Sequence, residues 1–242
     1  MSSILKLDGL SRSFGAVTVA DSLSYELAQG EALGVIGPNG AGKTSMFNLI
    51  TGTLSPDAGR VEFAGRDVTS QSAASRSRMG IARSFQVPQP FSGLTVFENA
   101  MIAATQSAGL TGHEAETLCL TVLDQTELLN KANKLAGGLT LLDRKRLELT
   151  RALCAKPKLL LLDEIAGGLT EAECKSLVQT IRDIHASGVS IIWIEHVVHA
   201  LLAVVERLVV IDFGRKIAEG DPHEVMDSRE VKEIYLGIEA DA

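Results

Sequence analysis

The sequence predicts an α/β fold with a mixed sheet, and three observations lead to that prediction. Residues 4–7 and 22–27 alternate polar and apolar side chains, as half-buried antiparallel strands do. Residues 32–36 form a continuous apolar run, which is typical of a parallel strand buried on both faces. From residue 158 onward, strand-like and helix-like segments alternate, which indicates a parallel sheet covered by helices.

The first third of the chain supplies strands and one short helix. A helix is predicted over 43–50, directly after the buried strand. Residues 60–63 and 80–85 are predicted as further strands.

The middle of the chain, residues 95–153, is predicted to be mostly helical. Apolar residues recur there with helical spacing over 95–106, 114–129 and 141–154. Because the α/β pattern resumes afterwards, we interpret this stretch as a helical insertion.

The last third of the chain carries the repeated strand and helix pattern. Strands are predicted at 158–163, 189–194 and 207–211, and helices at 171–186 and 196–205. We expect a parallel sheet with both faces covered.

These elements indicate one domain over residues 1–237 with a short mobile tail at 238–242. Its core is expected to comprise 1–86 and 156–237, with a helical subdomain at about 87–155. A chain of 242 residues suits such an arrangement.

Composition limits the possible functions. Apolar residues make up 45% of the chain, so a sizeable core is available, whereas aromatic residues at 4% do not suit a stacking surface for single-stranded nucleic acid. The formal charge of −7 argues against nucleic acid as a partner. No apolar run approaches the ~20 residues of a membrane-spanning helix, so we expect a peripheral protein.

Residues 37–44 match the phosphate-binding motif GxxxxGK[ST] in full. Its glycines let backbone N–H groups turn towards a polyphosphate, and the following helix presents its positive dipole end to the same anion. The Lys43 ammonium is expected to reach the β and γ phosphates, and the Thr44 hydroxyl to ligate Mg²⁺. The predicted nucleotide-binding residues of this loop are Gly37, Pro38, Asn39, Gly40, Ala41, Gly42, Lys43, Thr44 and Ser45.

Two carboxylates, Asp163 and Glu164, follow the apolar run of residues 159–162. Ligands bind at the carboxyl ends of strands in α/β sheets, so this pair is predicted to face the phosphates. Asp163 is expected to hold Mg²⁺, directly or through water, and Glu164 to act as general base towards the attacking water.

These two motifs, their order and the helical stretch between them resemble the ATP-binding cassette (ABC) family. The resemblance covers residues 5–237 and implies the ABC ATPase fold of P-loop NTPases, with a mixed sheet core, an antiparallel N-terminal sheet and an inserted helical subdomain. It also implies an ATPase that uses ATP and Mg²⁺.

Three further site residues follow from the resemblance. Gln86 matches the glutamine that contacts Mg²⁺ and the attacking water, and the loop after it links the core to the helical subdomain. His196 matches the histidine that contacts the γ phosphate, with His199 as the alternative. Phe14 lies where the family places an aromatic residue against adenine, although a core position is the alternative.

The family's LSGGQ signature is altered here. Counting back from Asp163 assigns it to Leu139, Thr140, Leu141, Leu142 and Asp143, rather than to the more similar-looking residues 135–139. In the family, the signature of one subunit closes over the γ phosphate held by the other. Leucines in place of glycines, and an extra carboxylate, are therefore expected to weaken the hold on that anion.

The altered signature leads to a hypothesis about partners. We expect a second ABC ATPase subunit, in a heterodimer whose partner carries a regular signature, with a homodimer as the alternative. The resemblance further implies two transmembrane permease subunits and, indirectly, a periplasmic solute-binding protein, with the chain at the cytoplasmic face of the inner membrane.

Residues 80–86, 94–99 and 233–237 resemble the ATPases of branched-chain amino acid importers and their amide or urea relatives. A lipopolysaccharide-type exporter ATPase is the alternative within the family. Two further alternatives are a soluble ATPase of this fold that acts in DNA repair or translation, and a weakly hydrolysing ATP-switched partner subunit.

Overall fold

The computed structural model describes the backbone of residues 2–236 and the side chains of residues 2–234. Within this part of the chain, the strands and helices in chain order are β1 (Ser3–Phe14), β2 (Val17–Ala28), β3 (Ala32–Ile36), α1 (Lys43–Thr51), β4 (Ala58–Phe63), β5 (Arg66–Asp67), α2 (Ala73–Met79), β6 (Ile81–Ser84), α3 (Val96–Gln106), α4 (Gly112–Gln125), α5 (Leu141–Cys154), β7 (Leu159–Asp163), α6 (Glu171–Ala186), β8 (Ser190–Ile194), α7 (Val198–Leu202), β9 (Arg207–Asp212), β10 (Arg215–Gly220), α8 (Pro222–Asp227) and α9 (Arg229–Leu236). The predicted tail at 238–242 lies outside the described residues.

Two sheets organise these elements. The first is antiparallel, with strand order β2-β1-β4-β5, and the second has the order β10-β9-β3-β8-β7-β6. In the second sheet β3 runs parallel to β8 and β9, while β10 pairs antiparallel with β9. The predicted mixed α/β fold with an antiparallel N-terminal sheet is thereby confirmed.

The central strands of the second sheet are fully buried, and their ends position the functional residues. All five residues of β3, β7 and β8 are buried, as expected for parallel strands covered on both faces. The carboxyl ends of these strands lead into Gly37, Glu164 and Glu195, so the loops that follow them meet at one edge of the sheet.

The predicted helical insertion contains α3, α4 and α5. A small apolar core within it includes Val96, Leu123 and Leu147, while other buried residues of the same helices join the main core cluster. Both α3 and α5 begin at threonine N-caps whose hydroxyls accept a backbone N–H, as helix starts favour. The boundaries of a core and a subdomain over 1–237 remain predictions.

Two helices end earlier in the structure than the sequence predicted. The helix predicted over 114–129 ends at Gln125, because Glu127 adopts a left-handed φ of 57° that α-helix cannot continue through. The helix predicted over 196–205 is only Val198–Leu202, and the backbone N–H groups of His196 and Val197 before it donate to the Glu195 carboxylate. The elements β5, α2, β10, α8 and α9 were not predicted.

Among the residues that the structure describes, no helix is long and apolar enough to cross a membrane.

Candidate active site

The loop between β3 and α1 packs closely against the backbone of β2. Gly42 has a φ of 101°, and a Cβ placed there would lie 2.3 Å from the Val19 carbonyl oxygen, so only glycine fits. The ammonium of Lys43 is buried and donates to the carbonyl oxygens of Gly37 at 2.7 Å and Pro38 at 3.0 Å. The lysine is thus held over the loop that precedes its helix.

Burial lowers the pKa of Lys43, and the negative charges of Glu164 and Asp163 oppose that shift. The ammonium therefore lies within electrostatic reach of both carboxylates. An anion bound in the loop would add to this attraction and stabilise the protonated form.

A cavity of about 620 Å³ collects most of the predicted residues. Residues 39–45 line it together with Gln86, Glu164 and His196. Val17 and Val19 complete the wall. The sequence analysis did not predict these two valines as site residues. Their strand, β2, has an alternating pattern, which does not indicate the loop that packs against it.

Glu164 is held between the two other predicted catalytic side chains. Its Oε2 accepts a hydrogen bond from Gln86 Nε2 at 2.5 Å, and its Oε1 lies 2.9 Å from His196 Nε2. Its backbone φ is +47°, a left-handed conformation that is uncommon for residues other than glycine. The structure thus brings together Gln86, Glu164 and His196, and it leaves His199 outside this cavity.

Asp163 is buried next to an arginine that the sequence analysis did not identify. Arg83 Nη2 donates to Asp163 Oδ2 at 2.5 Å, and Arg83 Nη1 donates to Asn48 Oδ1 at 2.6 Å. The other carboxylate oxygen, Asp163 Oδ1, is buried and makes no hydrogen bond among the described residues. A buried oxygen of this kind suits a cation or its bound water.

Phe14 lies in a neighbouring cavity rather than in the phosphate cavity. Its side chain is 51% exposed, so the alternative of a core position is wrong. It lines a cavity of about 660 Å³, which also includes Ser45, and the Arg12 guanidinium lies 4.8 Å from its ring centroid. Its predicted contact with adenine remains a prediction.

Helix α5 begins where the altered signature was assigned. Thr140 is the N-cap residue, and its hydroxyl accepts the Asp143 backbone N–H at 3.3 Å. Residues 136–138, in the rejected register, form a separate 3₁₀ turn. The register 139–143 therefore coincides with the start of α5, and its role towards an anion remains a prediction.

Asp143, the carboxylate of the assigned signature, is paired within its own subunit. The Asp143 carboxylate is only 2% exposed and accepts two hydrogen bonds from the Lys131 ammonium, at 2.7 and 2.8 Å. Its charge is therefore neutralised within the subunit and does not oppose an anion. Leu141, which is 47% exposed, and the half-buried Leu142 are the departures that remain.

Comparisons with known proteins identify the family of this chain. A family model described as ABC transporter matches residues 20–167, and one described as Branched-chain amino acid ATP-binding cassette transporter matches residues 215–241. The high-affinity branched-chain amino acid transport ATP-binding protein LivG of Salmonella typhimurium is 33% identical, over 97% of this chain and 98% of its own. The lipopolysaccharide export system ATP-binding protein LptB of Acidithiobacillus ferridurans is 31% identical, over 98% of each chain.

Solved structures give the same result for the fold. A nucleotide-free ATP-binding cassette from an ABC transporter superposes with a TM-score of 0.90 at 30% identity, covering 98% of this chain and 100% of that one. The ADP conformation of another cassette superposes with a TM-score of 0.90 at 29% identity and the same coverage. This chain therefore belongs to the ABC transporter family, as an ATP-binding and ATP-hydrolysing subunit with relatives among the branched-chain amino acid transporters.

Proposed function

We propose that this chain hydrolyses MgATP to energise the import of branched-chain amino acids or related amides or urea. The observation that carries the proposal is the placement of Glu164 between Gln86 and His196, in the same cavity as the phosphate-binding loop. The match of residues 215–241 to the branched-chain amino acid model supports the choice of solute.

Nucleotide binding is assigned to the loop of residues 37–45. When a triphosphate enters, Lys43 exchanges its hydrogen bonds to Gly37 and Pro38 for bonds to the β and γ phosphates. The backbone N–H groups at the start of α1 supply further donors to the same phosphates. Phe14 would stack on adenine from the adjoining cavity.

The metal is assigned to Thr44, Asp163 and Gln86. The buried, unpartnered Oδ1 of Asp163 fits a cation held directly or through water. When bound, Mg²⁺ would neutralise charge on the β and γ phosphates.

Hydrolysis is assigned to Glu164, which would accept a proton from the attacking water. His196 and Gln86 hold its two carboxylate oxygens, so the base has a defined direction. His196 would also contact the γ phosphate, which places it between base and substrate.

Membrane partners are assigned to the loop after Gln86. Phe85, Val87 and Phe91 are between 45% and 66% exposed, and two of them line the cavity of about 660 Å³. We propose that two permease subunits seat a helix against residues 87–105 at the cytoplasmic face of the inner membrane. A periplasmic binding protein would deliver the solute to those permeases.

A second ABC subunit would complete each ATP site. We propose a heterodimer, because Leu141 and Leu142 occupy the positions at which a signature needs glycine. An export function is the second candidate, favoured only by the similarity to LptB. Co-purification of two permeases and a binding protein supports import, whereas lipopolysaccharide-export components support the alternative.

Calorimetry and steady-state turnover test the ATPase assignment. Lys43→Ala is expected to weaken MgATP binding by about 10- to 100-fold, because a charge-assisted hydrogen bond is lost. Glu164→Gln should keep binding while turnover falls by about 100-fold or more. Lys175→Ala, at a side chain that is 74% exposed, is the control and should change neither. Wild-type protein without affinity for adenine nucleotides would contradict the proposal.

A further inference from the structure

Glu195 is a buried carboxylate that the assigned mechanism does not use. It follows β8, lies directly before His196, and is only 1% exposed. A buried carboxylate is unfavourable unless hydrogen-bond donors surround it. Here all the donors that the described residues provide are backbone N–H groups.

The two oxygens of Glu195 hold two different segments of the chain. Oε2 accepts from the Ala166 N–H at 2.9 Å, two residues after Glu164. Oε1 accepts from the His196 N–H at 2.9 Å and from the Val197 N–H at 3.2 Å. One side chain therefore fixes the backbone next to both members of the Glu164–His196 contact.

A buried lysine completes this arrangement from the signature helix. Lys145 of α5 is 5% exposed, and its ammonium donates to the Glu164 carbonyl oxygen at 3.3 Å. Burial lowers the pKa of Lys145, and the charges of Glu195 and Glu164 oppose that shift. Lys145 thus compensates the Glu195 charge and connects α5 to the same backbone.

These contacts explain how Glu164 keeps its left-handed conformation. A non-glycine residue with φ near +47° persists only where the surroundings over-determine it. The Glu164 N–H donates to the Ile194 carbonyl oxygen at 2.8 Å, Lys145 holds the Glu164 carbonyl, and Glu195 holds Ala166. The segment is therefore fixed on each side of its strained residue.

We propose that Glu195 is a positioning residue for ATP hydrolysis, which holds the backbones that carry Glu164 and His196 in one geometry, with Lys145 coupling that geometry to α5. The inference rests on the proposed roles of Glu164 and His196. Glu195 is buried and does not line the phosphate cavity of about 620 Å³. Its effect is expected on the rate of the chemical step and not on the binding of ATP.

Glu195→Gln is the most direct test. Glutamine keeps the size and one acceptor oxygen, but its NH₂ group cannot accept a hydrogen bond, so one of the two segments is released. We expect kcat to fall by about 10- to 100-fold, because small displacements of catalytic groups are costly. KM for ATP should change by less than about threefold, since ground-state binding is retained.

A spectroscopic readout separates this role from general destabilisation. In ¹H–¹⁵N spectra the amide signals of Ala166, His196 and Val197 should move together in Glu195→Gln. Thr150→Val is the matched control, because it removes a buried hydrogen bond to Thr126 at 2.7 Å within the helical insertion. It should lower stability without moving those three signals or kcat.

Lys145→Met provides a second variant should Glu195→Gln fail to fold. It should lower kcat in the same way and shift the amide signal of Ile165, the residue after the Glu164 carbonyl. A folded Glu195→Gln or Lys145→Met protein with wild-type kcat would overturn the proposal. It would also be overturned if Thr150→Val lowered kcat as much as these variants do, because lost stability alone would then explain the effect. A wild-type protein that does not hydrolyse ATP would instead refute the proposed function, and with it the positioning role of Glu195.

Discussion

Arg83 and Asp163 form a buried ion pair, with Nη2 and Oδ2 separated by 2.5 Å and side chains that are 7% and 4% exposed. The guanidinium also lies 5.3 Å from the Phe47 ring centroid and 5.1 Å from that of Phe85. Arg83 therefore holds one oxygen of Asp163 and leaves the other for a cation. The strand that ends before Gln86 is tied in this way to the strand that carries Asp163, the proposed metal ligand.

Removing Arg83 is expected to destabilise the fold strongly. Arg83→Met leaves the Asp163 carboxylate buried without its counter-charge, and loss of one partner of a buried pair costs about 3–5 kcal/mol. Urea denaturation measures the free energy of unfolding. The double variant Arg83→Met with Asp163→Asn should recover part of the loss, because the uncompensated charge is gone.

Arg12→Met is the matched control for that experiment. Arg12 pairs with Asp57 at 2.6 Å, but the side chains are 27% and 49% exposed. Exposed pairs contribute only about 0.2–1 kcal/mol. Equal losses for Arg83→Met and Arg12→Met would contradict the importance of burial.

The strain at Glu164 predicts an unusual order of stability among its variants. Glu164→Ala keeps a Cβ in the left-handed region, whereas Glu164→Gly removes it. Gly should therefore be more stable than Ala by about 1 kcal/mol, the reverse of the order in helices. The same substitutions at Glu173, in helix α6, provide the control and should favour Ala. Equal stabilities of Glu164→Ala and Glu164→Gly would contradict strain at this residue.

The sequence was sufficient to predict features that depend on local pattern. Residues 32–36 and 159–162 are apolar throughout, so burial on both faces followed directly. The glycine-rich loop between a strand and a helix identified the phosphate site, because only that backbone geometry needs those residues. Glu164 was predicted from its position after a buried strand and His196 from the resemblance, and the structure brings them into contact.

Features that depend on distant pairing could not be read from the sequence. The Glu195 contact to Ala166 joins residues 29 apart, and the Arg83 contact to Asp163 joins residues 80 apart. Asp143 appeared to be an exposed charge, because nothing in the sequence indicates that Lys131 reaches it from 12 residues away. The sequence does show charged residues within apolar segments, which indicates that they need a partner. It does not show which distant residue that partner is.

The lowered pKa of Lys43 predicts proton uptake when ATP binds at alkaline pH. Burial places the folded-state pKa below 10.5, so part of the protein holds a neutral Lys43 as the pH approaches that value. The same depression makes Lys43 unfavourable for stability below its folded pKa, and this penalty vanishes as pH rises to 10.5. Bound phosphates favour the charged ammonium, so a neutral Lys43 takes up a proton when ATP binds.

Calorimetry in two buffers with different ionisation enthalpies measures that uptake. It should be near zero at neutral pH and grow towards the alkaline side, while the affinity for ATP falls. Lys43→Arg is the control, because the guanidinium does not titrate in this range. The same uptake in Lys43→Arg would show that another group is responsible.

The altered signature predicts a gain of function on substitution. In a heterodimer whose other subunit carries a regular signature, Leu142→Gly should raise turnover at the partner's site, because backbone N–H groups could then approach the γ phosphate. The gain should appear despite a loss of about 1 kcal/mol in helix stability. Adding Lys43→Ala to this chain silences its own site, so that the measured ATPase rate reports the partner's site alone.

Asp143→Asn distinguishes the two departures in the signature. The Asp143 carboxylate is already neutralised by Lys131, so its replacement should give no gain in turnover. A gain with Asp143→Asn and none with Leu142→Gly would mean that charge, and not the leucine side chains, limits the partner's site. Equal turnover at both sites of the unmodified heterodimer would contradict the idea that the altered signature is weak, because Leu141 and Leu142 would then leave the γ phosphate as accessible as glycines do.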